Sequence, residues 1–509
     1  MKRTKALRNV LSSSIVNFAN IIASFFAQRF FLGVLNTEYL GLNGLFSNII
    51  SMLAIFELGI GSAITFSLYK PLAKDDKPTI KALMSFYKKA YRIIAGIVTV
   101  VSVSITPFLP LLIKEVTIDI NIYIVYLMFI ADVVCSYLLT YRRSILYADQ
   151  KNYQINIIHI GYLVVMNTLQ LSILALTKNY YLYLGVKIAM RVVENLAIHL
   201  VVRKQYPYLN NLKNAKLDKK IEADIFKKIK ALLFHKIGTF IVLGSDNLII
   251  SKFIGLVEVG LYSNYYLVIN ATNQLVGQAI TALTPTIGHK LALEKSEKTY
   301  GAFKKTRFAG FILACFISVG FFCCIQPFVK VWLGEQYLLG MLTVAALSFN
   351  MFQKLQRYAY STFKEAAGIY HEDRFIPLIE SVLNIVASIV LLRFFGIAGV
   401  FMGTIVSGLA LWCYSYPRFI YKKLFGRSYF TYARETLGYI AVFILSAGLS
   451  YLAISQIHLG SAIMQIIANA LVSVGITGAV IVLALHRTGS FRYFVEVISD
   501  KTNKILKRS

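Results

Sequence analysis

Charged side chains are scarce in this sequence. Asp, Glu, Lys and Arg make up 15% of its 509 residues, where a soluble domain carries roughly a quarter. Acids are the rarer sign, 24 against 53 bases. A water-soluble enzyme and a disordered chain are poor readings of such a composition. Cysteine is also sparse. Its five copies (Cys135, Cys315, Cys323, Cys324 and Cys413) are odd in number, sit in apolar stretches and lack metal-ligand spacing. They fit small apolar packing residues better than a disulfide framework or a metal centre. No phosphate-binding Gly-Lys loop, zinc-binding His-Glu helix or nucleophile elbow occurs. A nucleotide-driven pump therefore loses its motif, and no catalytic constellation, cofactor site or metal site emerges.

What the chain has is apolar length: 57% apolar residues and a mean hydropathy of +0.63. Blocks such as Ile93–Ile113, Ile155–Leu176, Phe308–Ile325 and Gly438–Ile454 approach or reach the roughly 20 residues that cross a bilayer as a helix. Breaking the blocks at charge clusters, Pro and Gly predicts an all-α, polytopic membrane protein of about fourteen spans. They fall at 9–34, 39–69, 90–113, 119–141, 153–177, 181–202, 229–254, 258–287, 307–331, 338–363, 375–395, 397–417, 436–456 and 462–485. The second and tenth are dotted with amides, Ser and charges, as helices facing a wet interior are.

The basic excess tests this layout. With the N-terminus placed inside, 42 of the 53 Lys and Arg fall in inside segments, and the outside loops and span ends hold only Lys114, Lys178 and Arg393. This is the positive-inside pattern, not a nucleic-acid footprint, and it predicts cytoplasmic termini. Met1-Lys2-Arg3-Thr4-Lys5 opens like a signal peptide, but the apolar run continues to Leu35 without a cleavage site; an uncleaved first span is expected.

The chain also repeats itself at an offset of 219–222. Phe31-Leu32-Gly33 matches Phe253-Ile254-Gly255, and Gly41 matches Gly260. Ala63 falls opposite Ala282, and Pro107-Phe108 with Glu115 opposite Pro327-Phe328 with Glu335. Six spans per copy preserve orientation, so the copies are parallel, related by an axis along the membrane normal as in transporters whose halves flank a central cavity. The expected division is a first lobe at 1–203, a basic linker at 204–228, a second lobe at 229–420, two extra spans at 421–487 and an amphipathic tail at 488–509 on the inner leaflet.

Glu38-Tyr39-Leu40-Gly41-Leu42-Asn43-Gly44-Leu45 running into Glu57-Leu58-Gly59-Ile60-Gly61, Ser245 to Ser251 followed by Gly255 to Tyr262 and Thr284-Pro285, and Phe394 to Val400 carry a resemblance. In their order the chain resembles the oligosaccharidyl-lipid flippases, the polysaccharide-transporter branch of the multidrug/oligosaccharidyl-lipid/polysaccharide exporter superfamily. The resemblance covers about residues 1–425. It implies alternating-access movement of a polyprenyl-pyrophosphate-linked oligosaccharide across a bacterial plasma membrane, for capsule, O-antigen or exopolysaccharide assembly. A polysaccharide polymerase, glycosyltransferases and membrane lipids would be its partners, and nucleic acid would not. A lipid II flippase, a drug/cation exporter and a non-transporting assembly scaffold are the rival readings.

Charges inside spans are the informative site candidates, because each is costly if unpaired. A pyrophosphate headgroup calls for cations, with Arg preferred. Arg29, near the repeat equivalent of Lys252, either faces a cavity or snorkels to the interface. His235 and Lys236 either meet the headgroup or anchor the seventh span. Lys354 and Arg357 share one helix face, while Lys187, Arg191 and Glu194 read as a self-neutralising network. Glu57, Asp132 and Asp246 are candidates for proton or sodium coupling, or simply ion-pair partners. Asn270, Gln274 and Gln278, with Asn264 and Asn273, suit either a glycan or interhelical hydrogen bonds. The sharpest expectation is that Arg29→Ala abolishes glycan export while membrane insertion, read by fractionation, stays intact; export at normal rate would remove Arg29 from the site.

Overall fold

In hydrocarbon every backbone amide must find its partner within its own segment, which leaves the helix as the natural solution for an apolar chain. The computed structural model describes residues 2–53, 57, 60–212, 217–219, 221–223, 225, 244–281, 283–293, 296–369, 372–373 and 375–496, most of them helical. The first part of the chain forms α1 (Lys2–Val34), α2 (Thr37–Leu53), α3 (Ile60–Ala73), α4 (Lys77–Ile105) and the short α5 (Leu109–Leu112). Next come α6 (Ile122–Ala148), α7 (Asn152–Thr177), α8 (Tyr180–Gln205) and α9, described over 244–253. The rest are α10 (Leu256–Thr281), α11 (Thr284–Leu293), α12 (Ser296–Trp332), α13 (Met341–Ala366), α14 (Ile376–Phe395), α15 (Ile397–Leu409), a π-helix (Ala410–Leu424), α16 (Tyr429–Ile454) and α17 (Ala462–Leu485).

Starts are set by short polar side chains that take orphan amides. Asp76, Asn121, Asn179 and Ser428 accept from Thr79, Tyr123 and Ile124, Leu182 and Thr431 at 3.0–3.2 Å. Among the described residues nine helices are long and apolar enough to cross a membrane. The chain is therefore a multi-pass membrane protein. Other expected spans fail that measure for visible reasons. α8 carries Lys187, Arg191 and Glu194. The second span is not one helix but α2 and α3, with Glu57 between them, and the eighth is α10 followed by α11.

Two compact units result, Met1–Ser263 and Asn264–Ser509. The division falls inside α10, not in the basic stretch at 204–228. In the first unit α1 packs on α7, and α6 lies against α4, α8 and α3. In the second, α14 pairs with α15, and α12 packs on α13, α16 and α17. The two extra spans thus pack within the second unit, both on α12, with α16 also meeting α13 and the π-helix.

The start of α10 groups with the first unit because it crosses α2 at backbone contact. A Cβ on Gly41 would lie 2.0 Å from the Leu256 carbonyl oxygen, and one on Gly260 2.2 Å from that of Thr37. Gly44 sits against Ser263 Oγ, where a Cβ would come within 2.8 Å. Gly41 and Gly260, Thr37 and Leu256, and Gly44 and Ser263 are each 219 residues apart. Equivalent residues of the repeat therefore touch each other reciprocally, as a local two-fold requires. α14 and α15 meet in the same way: Cβ positions on Gly399 and Gly403 would fall 2.2 Å from Leu391 O and Ser388 Oγ.

Gly41→Ala and Gly260→Ala should each lower the thermal midpoint of the purified protein, a loss of about 1–3 kcal/mol from overpacking. Gly96→Ala in α4, where a Cβ meets nothing within 4 Å, should leave the midpoint unchanged or raise it.

Candidate functional site

A cavity of about 750 Å³ opens in the first unit. Its wall follows helical spacing. α4 contributes Tyr87 and Tyr91, four residues apart, and α6 contributes Ser136, Thr140, Arg143, Ser144 and Tyr147 from one face. α3 adds Thr65 and Tyr69, α7 adds Asn152 and α8 adds Arg191. Glu57 enters where the second span is broken, half-buried, and accepts a hydrogen bond from the Tyr91 hydroxyl. Tyr87 and Tyr91 meet edge to face at 4.6 Å, and Tyr137 continues the aromatic wall 6.0 Å from Tyr91. Gly61 lets α3 approach this wall: a Cβ there would stand 3.0 Å from the Tyr87 hydroxyl.

Behind the polar surface lies a charge network. Arg191 reaches Asp132 at 3.3 Å and Glu194 at 3.4 Å. Lys187 holds the other Asp132 oxygen at 3.2 Å. Arg143 donates to Glu194 at 3.0 Å and to the Asn195 side-chain oxygen at 2.9 Å. His159 Nδ1 lies 2.7 Å from Glu194, which is fully enclosed. Three permanent cations thus share two carboxylates, and the Arg143 Nε has no partner among the described residues. Arg143 and Arg191 line the cavity with their side chains 21% and 24% exposed. They can present N–H groups to an anion without abandoning all their present contacts.

The structure brings Glu57 and Arg191 to one cavity and binds Asp132 to Lys187 and Arg191 just behind it. Arg29 on α1 and Lys252 on α9 are exposed, and neither lines this cavity. Asp246 on α9 is half-buried. His235 and Lys236 lie outside the described residues. In the second unit Arg357 pairs with Glu380, and Lys354 is half-buried on the same helix. The amides of α10 do not present one common surface. Gln274 and Gln278 are exposed and Asn270 half-buried, whereas Asn264 and Asn273 are buried.

Sequence reasoning missed Arg143 and the tyrosines. It ended the fourth span at 141, at the Arg142-Arg143 pair, but α6 runs to Ala148 and carries Arg143 into the wall. The signal was the spacing of Tyr137, Thr140, Ser144 and Tyr147, which continues the helix past the charges.

Glu194→Leu would leave Arg143, Arg191 and His159 around an apolar side chain. Because the arginines keep some access to water, the expected loss is about 1–3 kcal/mol, read as a lower thermal midpoint. An unchanged midpoint would show that the network is not structural.

Comparison with solved structures finds this fold in several known proteins. The lipid II flippase MurJ, in an inward closed conformation, aligns over 93% of this chain and 98% of its own, at 13% identity and a TM-score of 0.65. A multidrug resistance MATE family transporter of the MOP superfamily, in an inward-facing conformation, aligns over 79% of this chain and 95% of its own, at 12% identity and a TM-score of 0.61. A mutant of the Vibrio cholerae MATE transporter VcmN aligns over 81% and 95%, at 13% identity and a TM-score of 0.54. At such identities the likeness is one of fold. No curated protein matches by sequence. Residues 6–290, more than half of the chain, match the family described as polysaccharide biosynthesis protein, and the chain belongs to that family.

Proposed function

We propose that the protein moves a polyprenyl-pyrophosphate-linked oligosaccharide from the cytoplasmic to the outer face of a bacterial plasma membrane by alternating access, and that it is not an enzyme. The observation that carries this reading is the joint lining of one cavity by Arg143, Arg191 and a wall of tyrosines and hydroxyls. Such a substrate has two unlike parts in its headgroup. A pyrophosphate needs fixed cations with several N–H donors, which Arg supplies. A glycan offers hydroxyls for hydrogen bonding and C–H faces that pack on aromatic rings.

In this reading the pyrophosphate competes with Glu194 and Asp132 for Arg143 and Arg191. Arg29, Lys252, Gln274 and Gln278 lie outside this cavity and have no part in the headgroup contact proposed here. Glu57, held by the Tyr91 hydroxyl at the broken second span, is the acid placed to couple transport to a proton or sodium ion. The positive-inside charge pattern puts both termini in the cytoplasm. Polymerase and glycosyltransferase partners follow from the family's place in polysaccharide assembly.

The test is transport by the purified full chain in liposomes carrying a fluorescent polyprenyl-pyrophosphate oligosaccharide. Wild type should translocate it. R143Q and R191Q should each lower the rate at limiting substrate by about tenfold or more, since a charge-assisted contact is worth about 1.5–3 kcal/mol. No transport by wild type would favour an assembly scaffold, and full activity in both variants would move the headgroup site elsewhere.

A further inference from the structure

The second unit holds a separate groove that the transport reading does not use. About 700 Å³ in volume, it lies along the π-helix Ala410–Leu424 and the start of α16. Tyr414, Arg418, Phe419, Lys422 and Lys423 line it from the π-helix, and Tyr429 closes it from α16. π-Helical geometry is rare, and its usual single-turn form is frequent at functional sites. Here the inner face of the π-helix is firmly held. Tyr416 stacks on Tyr360 at 4.2 Å, and Ser415 donates to Asp373 at 3.0 Å. The outer face presents Arg418 and Lys422, both exposed. Neither has a carboxylate within ion-pair reach among the described residues, whereas Lys423 is tied to Glu372. Arg418 lies over the Tyr414 ring at 5.2 Å, which fixes its guanidinium beside the groove. Tyr414 and Tyr429, both exposed, line the groove beside the cations with amphipathic rings, the composition of a membrane–water interface.

We propose that this groove binds the headgroup phosphate of an anionic phospholipid of the cytoplasmic leaflet. Arg418 and Lys422 would contact the phosphate, and Tyr414, Phe419 and Tyr429 the glycerol and upper acyl region. Charge complementarity selects this occupant: two exposed cations, without an ion-pair partner among the described residues, face a groove set among interfacial aromatics, on the side that the charge pattern assigns to the cytoplasm. A protein partner would leave the aromatic collar against lipid, and a soluble anion would not use it.

The experiment reconstitutes the full chain in phosphatidylcholine vesicles and compares the immobilised fractions of spin-labelled phosphatidylglycerol and spin-labelled phosphatidylcholine. Wild type should prefer phosphatidylglycerol. A surface cation is worth about fivefold in attraction to an anionic membrane, so R418Q/K422Q should lose most of a roughly twentyfold preference. The charge-conserving pair R418K/K422R should keep it. An unchanged preference in R418Q/K422Q, or an equal loss in R418K/K422R, would overturn the proposal. So would displacement of the label by inorganic pyrophosphate without selectivity between the two lipids. R143Q/R191Q should show the wild-type preference, which separates this groove from the transport cavity.

Discussion

A charge inside hydrocarbon must be paired or must reach water, and the architecture of this protein follows that constraint closely. Lys187 and Arg191 share Asp132. Arg307, almost fully enclosed in α12, is matched by Glu435 and by the hydroxyls of Tyr421 and Thr436. Arg357 has Glu380, and Lys364 has Asp373. Each pair ties two helices, or a helix and a loop, that the apolar residues alone would leave free to slide, because lipid is as good a solvent for Leu as another helix is. Ion pairs and small-residue contacts therefore carry specificity that hydrophobic burial supplies in a soluble core. The reciprocal approach of Gly41 to Leu256 and of Gly260 to Thr37 belongs to the second kind. Here the internal repeat supplies the same small residue to both sides of one crossing.

The two units use the constraint differently. In the second, the arginine at 307 is wrapped by aromatic rings, with Tyr439 4.8 Å and Tyr360 5.4 Å from its guanidinium, and stays out of water. In the first, Arg143 and Arg191 keep one side open to a cavity. Full enclosure favours a permanent fastening, and partial hydration favours an exchangeable one. Pairing alone is thus a poor guide to function. The useful question is whether the paired cation still has a wet face, as Arg143 does with a fifth of its side chain exposed and Arg307 does not.

Much of the fold was legible in the sequence because spans are long, apolar and bounded by charge, and because helices such as α7 and α17 coincide with their apolar blocks. The exceptions have physical causes. The second and eighth spans are each two helices, since apolarity persists across a break that backbone geometry makes. α6 and α12 extend well beyond their apolar blocks, so Arg143 and Arg307 counted as loop charges although both are held inside a unit. The ion network of Lys187, Arg191 and Glu194 could be read from i, i+3 and i+4 spacing. Its other half, Asp132, His159 and Arg143, comes from different helices and has no signature along the chain. The tyrosine wall was invisible for the same reason: aromatic residues are common here, 14% of the chain, and only packing shows which of them face a cavity.

A site that must both take up and release a multiply charged headgroup faces opposing demands. Cations with no partner would be costly in the empty state and too tenacious in the filled one. Cations locked in one-to-one pairs would not respond to the substrate at all. Three cations sharing two carboxylates lie between these limits. Glu194 and Asp132 keep Arg143 and Arg191 extended and oriented while the cavity is empty, and each arginine has other partners when one contact is exchanged. In the proposed transport cycle the carboxylates therefore act as internal stand-ins for phosphate. Under that proposal they would lower the reorganisation that binding requires and return to the arginines as the headgroup leaves.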